Sequence, residues 1–274
     1  MDKENKKSAI AVIVTFAVIT LVLILLLPVE KKNKQLEKFG RLAELAETDA
    51  RAEYIIENNE QYPKYILDLF YNNPDNLEFV YNYPFLKDNY ETTMSYTEAE
   101  LSGLPELYMD DPRWAYENIG GYEEIIMTSG CGYVCLTMAY IGLTGDSSID
   151  PVILARIAYE NMLTGKLSAG IYMEKIGDLC ALIGLNGTYY NYDVKREGKA
   201  IESIDEIAQL ISEDSVLIAG MVGETFGSHA IVIRECDGNN IYMNDPAVRE
   251  NTEKTWTFDE IKSELKGIWV ITKA

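Results

Sequence analysis

The chain has 274 residues, 47% of them hydrophobic, and a formal net charge of -20. That is enough apolar material for a globular core, and the wrong sign for a partner of nucleic acid or anionic lipid head groups. Four cysteines, Cys131, Cys135, Cys180 and Cys236, are too few and too scattered for a disulfide-built scaffold. They also argue against structural zinc, because Cys131 and Cys135 lack two-residue ligand spacing and no second CxxC exists.

Residues 1–7 read as a short polar tail. Residues 8–29 contain no charged side chain and are long enough, as a helix, to cross the ~30 Å hydrocarbon core, which predicts an N-terminal membrane anchor. The rival is a cleaved signal peptide, but Pro28-Val29-Glu30-Lys31-Lys32 follows the apolar run directly and offers no small-residue cleavage site. Lys3, Lys6 and Lys7 on one side face Lys31, Lys32, Lys34, Lys38 and Arg41 on the other, and the positive-inside rule gives no clear orientation. Residues 1–34 hold six lysines against three acidic residues, leaving -23 for the remainder. Such a body attracts cationic peptides.

Residues 30–104 read as a helical stalk or collar with a linker. Leu36, Phe39, Leu42, Leu45 and Ala46 recur at helical spacing, and the pattern runs on through Ala52, Ile55 and Ile56, predicting one helix continuing from the membrane. Pro63 suits the first turn of a second helix over 64–70, and Asn73-Pro74-Asp75 ends it and opens a third through Leu77, Phe79 and Val80. The polar, weakly periodic stretch 88–104 is the predicted linker.

The main domain is expected over 105–274. Helices are predicted from Cys131 to just before Gly142, and near 151–163, 172–183 and 203–212. Strands are predicted over 215–221, 229–235, 240–244 and 267–272. Helices first and antiparallel strands afterwards define an α+β domain, a helical layer on a sheet.

Two stretches carry the chemistry. Cys131, between Gly130 and Gly132, sits where a helix begins, and there free N–H groups and the macrodipole favour a thiolate. The glycines are expected to let a substrate backbone come close. Cys135, one turn deeper, reads as a small packing residue. His229 is the only histidine, so a thiol that needs an imidazole must use it. The plain alternative is a buried cysteine at a turn and a satisfied histidine at a strand edge. Asp245, returning by a hairpin, weighs against it, because a carboxylate beside His229 would fix its tautomer and stabilise its charged form. A regular two-residue loop at Gly238-Asn239 would oppose Asp245 to Val232 and turn it away from His229. The triad therefore requires a loop of different length or a bulge.

From Tyr108 onward the chain resembles bacterial peptidases of the papain-like superfamily that are related to the double-glycine leader peptidases of bacteriocin exporters. The resemblance rests on Asp111-Pro112-Arg113-Trp114, Gly130-Cys131-Gly132, Gly142-Leu143-Thr144-Gly145, Ser228-His229, Asn244-Asp245-Pro246, and Trp256-Thr257-Phe258 through Trp269. It covers roughly residues 50 to 274. It implies a papain-like fold, with Cys131 as nucleophile, His229 as base and acid, and Asp245 as the orienting residue. It further implies amide hydrolysis through an acyl-enzyme, no cofactor, a peptide or protein substrate, and a domain on the outer face of the membrane. One departure stands out. The family's oxyanion glutamine is replaced by Met109, whose thioether donates no hydrogen bond. The Cys131 backbone N–H remains as donor, and Thr128, Ser129 or Tyr122 could substitute for the missing one.

The leading expectation is thus a membrane-anchored cysteine peptidase. Beside it stand a catalytically weak peptide-binding or scaffold module, and a cell-wall amidase or acyltransferase for which no glycan or acyl-donor motif speaks. No phosphate-binding G-x-x-x-x-G-K-[ST] motif occurs, so a transporter partner would be a separate chain.

Overall fold

The computed structural model describes residues 40–89, 96–119, 124–164, 170–171, 173–191, 199–200 and 203–274. The expected anchor, residues 8–29, lies outside them; among the described residues no helix is long and apolar enough to cross a membrane. The chain divides into two compact units, one ending at Asn89 and the other beginning at Tyr90.

In the first unit, the single helix expected through Ile56 is interrupted. Residues 40–46 are helical, the chain turns at 47–49, and α1 (Ala50–Glu57) starts afresh. The cause is Asp49, whose carboxylate accepts from the Arg51 N–H at 2.9 Å and so caps a new helix N-terminus. Helices α2 (Lys64–Asn72) and α3 (Leu77–Leu86) follow, with Pro63 as the N-cap of α2. Leu42, Ile55, Ile56, Ile66, Phe70 and Val80 form the buried interior.

The second unit is built on a seven-stranded sheet. Its strands are β1 (Leu185–Asn191), β2 (Lys199–Ala200), β3 (Ser215–Gly223), β4 (Gly227–Asp237), β5 (Asn240–Asn244), β6 (Trp256–Thr257) and β7 (Leu265–Lys273). They lie in the order β2-β1-β7-β3-β4-β5-β6, with only the β1/β2 pair parallel. β3 is central and buried on both faces, which is why Val216-Leu217-Ile218-Ala219 reads as an unbroken apolar run. Alternation sorts its side chains. Val216 and Ile218, with Ala230, Val232 and Trp269, pack on the helical layer. Leu217, Ala219 and Met221, with Ile231 and Ile233, pack on the opposite side against Ile207, Trp256 and Ile261.

The helical layer is led by α4 (Cys131–Thr144), apolar all round because the sheet and its neighbours cover it. Gly142 does not end this helix as expected. It lies within it, close to Leu104, and the stop is Gly145 in the left-handed conformation at φ 69°. Further helices are α5 (Pro151–Glu160), α6 (Ile176–Leu182) and α7 (Ile204–Leu210). Part of the expected 88–104 linker belongs to this unit: a one-turn helix, Glu98–Leu101, follows Tyr96, which stacks on the fully buried Trp114. Arg113 reaches Glu100 and Asp111, both at 2.6 Å, and holds that segment down.

α5 closes with crossed bonds from Met162 N–H to the Tyr159 carbonyl and from Leu163 N–H to the Ala158 carbonyl, at 3.1 and 2.8 Å. That motif places Met162 at φ 57°, where glycine is the usual occupant, with its side chain 87% exposed. Met162→Gly is therefore expected to stabilise the domain by about 0.5–1 kcal/mol, the left-handed strain relieved less the added unfolded-state entropy. Thermal or urea unfolding measures it, and a loss of stability would contradict it.

Candidate active site

Cys131 is the first residue of α4, with Gly130 as N-cap. A one-turn helix, Ile126–Ser129, ends at the same glycine, whose N–H donates to the Ile126 carbonyl at 2.8 Å. A Cβ on Gly130 would stand 2.5 Å from that carbonyl oxygen. The junction of two helices thus requires a glycine here whatever the substrate. Gly132 lines the cleft and lies against Ile171.

His229 sits on β4 and Asp245 just beyond β5. The turn at Gly238-Asn239 is the two-residue one, pairing Asp237 with Asn240, but the register shifts between Ile233 and Glu235. Val232 therefore opposes Asn244, and continuing the ladder sets Asp245 level with Ile231, on His229's side of the sheet. A bulge at Arg234 supplies the shift. His229 Nε2 and Asp245 Oδ1 are 2.7 Å apart, with the carboxylate fully buried. Because a carboxylate only accepts, Nε2–H donates and Nδ1 is left for the thiol.

Sequence reading missed the partners of Asp245. Oδ1 also accepts from the N–H groups of Ala247 and Val248 at 2.8 and 3.1 Å, and Oδ2 from Asn251 Nδ2 at 2.7 Å. Its own N–H donates to Thr252 Oγ1 at 2.9 Å. These contacts come from the chain turning back through residues 247–253, and only the Asp-Pro turn signal at 245–246 hinted at it.

Electrostatics follow from this arrangement. Burial pushes the Cys131 thiol up, but the hydrogen bond and charge of His229, with the N–H groups of Ala230 and Gly132, bring it below its ordinary value. Burial disfavours charged His229, yet its bonds to Asp245 and Cys131 raise it well above the usual imidazole range. Asp245 is held low despite burial, chiefly by His229. All three shifts favour a thiolate–imidazolium pair. Cys135, which donates to the Ala230 carbonyl at 3.4 Å, is pushed far up by burial and is inert packing.

Met109 is buried in the core cluster against which Cys131 packs, and does not line the cleft. Its N–H donates to the Pro246 carbonyl at 2.7 Å, and Asp110 and Arg249 form a two-fold ion pair, so this segment is tied to the Asp245 turn. Of the substitute hydroxyls, Thr128 is engaged with Ile125 both as donor and acceptor, at 2.9 and 3.1 Å. Ser129 lines the cleft but donates to Glu124 Oε2 at 2.8 Å. Tyr122 lies outside the described residues. The cleft has a volume of about 210 Å³, with Cys131, His229, Ile171, Tyr189 and Met221 on its walls.

A helical layer on an antiparallel sheet, with a thiol at a helix N-terminus facing an imidazole, is the construction of a papain-like cysteine peptidase-like domain. Residues 114–274 match the Peptidase_C39 like family, and the chain belongs to it. Met109 lies just ahead of the matched stretch. Among solved structures, the chain is similar to the peptidase domain of Streptococcus ComA, a bi-functional ABC transporter involved in a quorum sensing pathway. The identity is 15%, over 54% of this chain and 93% of that one, with a TM-score of 0.40. No curated protein matches.

Proposed function

We propose that this protein is a cysteine peptidase that hydrolyses peptide bonds through Cys131, His229 and Asp245. The observation that carries the reading is the buried Asp245 carboxylate held 2.7 Å from His229 Nε2, with Cys131 and that imidazole together on the wall of one cleft. The Cys131 thiolate attacks the carbonyl carbon, and the imidazolium returns its proton to the leaving amine. His229 then takes a proton from water, whose oxygen attacks the thioester and frees the acid. The α4 N-terminus, including the Cys131 N–H, stabilises the oxyanion. Residues 8–29 would anchor the chain in the membrane, a reading supported by their uncharged run alone, and the outer face for this domain rests only on the family resemblance of the sequence.

A second reading, a slow enzyme that mainly binds peptides, draws support from Met109, because neither Thr128 nor Ser129 is free to replace the glutamine. The test is turnover of a peptide library by the full chain and by Cys131→Ser. Loss of at least ~10³-fold is expected, and equal turnover by the variant would overturn the assignment.

A further inference from the structure

β7 carries a feature that the triad does not use. β3 and β7 pair Gly220 with Gly267 but then Met221 with Leu265, so Lys266 is the extra residue of a bulge. Bulges beside active sites re-aim a side chain, and Lys266 is half-buried on the cleft wall next to Gly220, Met221, Gly267 and His229. Its ammonium donates only to the Ser263 carbonyl, at 3.1 Å, and forms no ion pair among the described residues. The chain has 44 acidic residues against 24 basic ones, so a lysine without a carboxylate is unexpected. The acidic residues on the same stretch are engaged elsewhere. Asp259 pairs with Lys262 and Glu260 with Lys254, while Glu264 accepts the N–H groups of Thr225 and Phe226 at 3.0 Å. No other lysine or arginine lines the cleft.

We propose that Lys266 recognises a carboxylate on the peptide bound beside Cys131, so that this cleft selects substrates carrying an acidic group. The proposal rests on the peptidase reading and names its substrate class. The carboxylate belongs either to an aspartate or glutamate side chain or to the peptide's C-terminus. In both cases it would replace the Ser263 carbonyl as the ammonium's partner, exchanging a neutral acceptor for a charged one.

Two measurements on the full chain test it. The first is binding of matched peptides to Cys131→Ala, which keeps the cleft and removes turnover: Glu against Gln at each position, and free C-terminus against amide. Roughly tenfold tighter binding of the acidic member is expected, retained in Lys266→Arg, abolished in Lys266→Gln and inverted in Lys266→Glu. The pair that shows the preference identifies the carboxylate's source. The second compares alkylation of Cys131 by iodoacetate and by iodoacetamide, a ratio that needs no hydrolysis. It should fall several-fold in Lys266→Gln, while the His229 contribution is common to both proteins. An unchanged ratio and unchanged peptide preference would overturn the role of Lys266. Absence of turnover with a Lys266-dependent ratio would instead overturn the peptidase reading alone.

Discussion

His229→Ala is expected to move the pH limb of Cys131 alkylation from below the ordinary thiol range to above it, and to slow peptide hydrolysis by about 10²- to 10⁴-fold. The direction follows from two opposed causes. Burial raises the thiol, and His229 is the main group that brings it down, helped by two backbone N–H groups. Without the imidazole, burial dominates. In the intact protein the thiolate persists as pH falls below ~8.5 and the imidazolium persists as pH rises above ~6.5, the ordinary values of the two groups. The reactive ion pair therefore spans neutral pH. Hydrolysis should fall on the acid side as the thiolate gains a proton, and on the alkaline side as His229 loses the proton needed by the leaving amine. Iodoacetamide labelling across pH with mass mapping reads the limb directly. The same limb in wild type and His229→Ala would sink the ion pair, whatever the hydrolysis assay shows.

The residues of the pair were legible because each is constrained locally. A lone histidine opening an apolar strand and a cysteine opening an apolar helix leave few assignments, and the unbroken apolar runs after each residue place both elements. Asp245 was legible only conditionally, since its face depends on a one-residue shift. Arg234 and Glu235, two consecutive exposed residues after Ile231-Val232-Ile233, are the local break in alternation that marks the bulge. Lys266 had no such mark, because its bulge follows from the register of β3 against β7, strands far apart in sequence. β1 was missed for a related reason. Leu185-Asn186-Gly187-Thr188 lacks apolar alternation and becomes a strand by pairing with β7, with Gly187 leaving room for Trp269. Asn251 and Thr252 enter the site only because the chain turns back onto Asp245. The collar failed differently: periodicity suggested one long helix, and a single capping aspartate divided it.

Met109→Gln is expected to raise kcat by about 10²- to 10³-fold with little change in KM, and to lower stability by about 1–3 kcal/mol. The gain belongs to kcat because an oxyanion donor acts on charge that exists only after attack by Cys131. The loss arises because Met109 is 6% exposed within an apolar cluster, where the amide's unused hydrogen-bonding groups lose water without full replacement. The Met109 N–H bond to the Pro246 carbonyl is independent of the side chain, so the segment keeps its attachment to the Asp245 turn. Met109→Leu is the control: it preserves packing, adds no donor, and should leave kcat within a few-fold of wild type. Single-turnover kinetics and thermal unfolding of the three proteins separate the effects. If the glutamine lowers stability as expected and kcat does not move, position 109, buried in the core and off the cleft wall, does not supply the oxyanion donor, and Met109 ceases to support the slow-enzyme reading. If kcat rises by the stated factor, the natural chain holds its nucleophile and imidazole ready but turns over slowly, and binding becomes the larger part of what the site does.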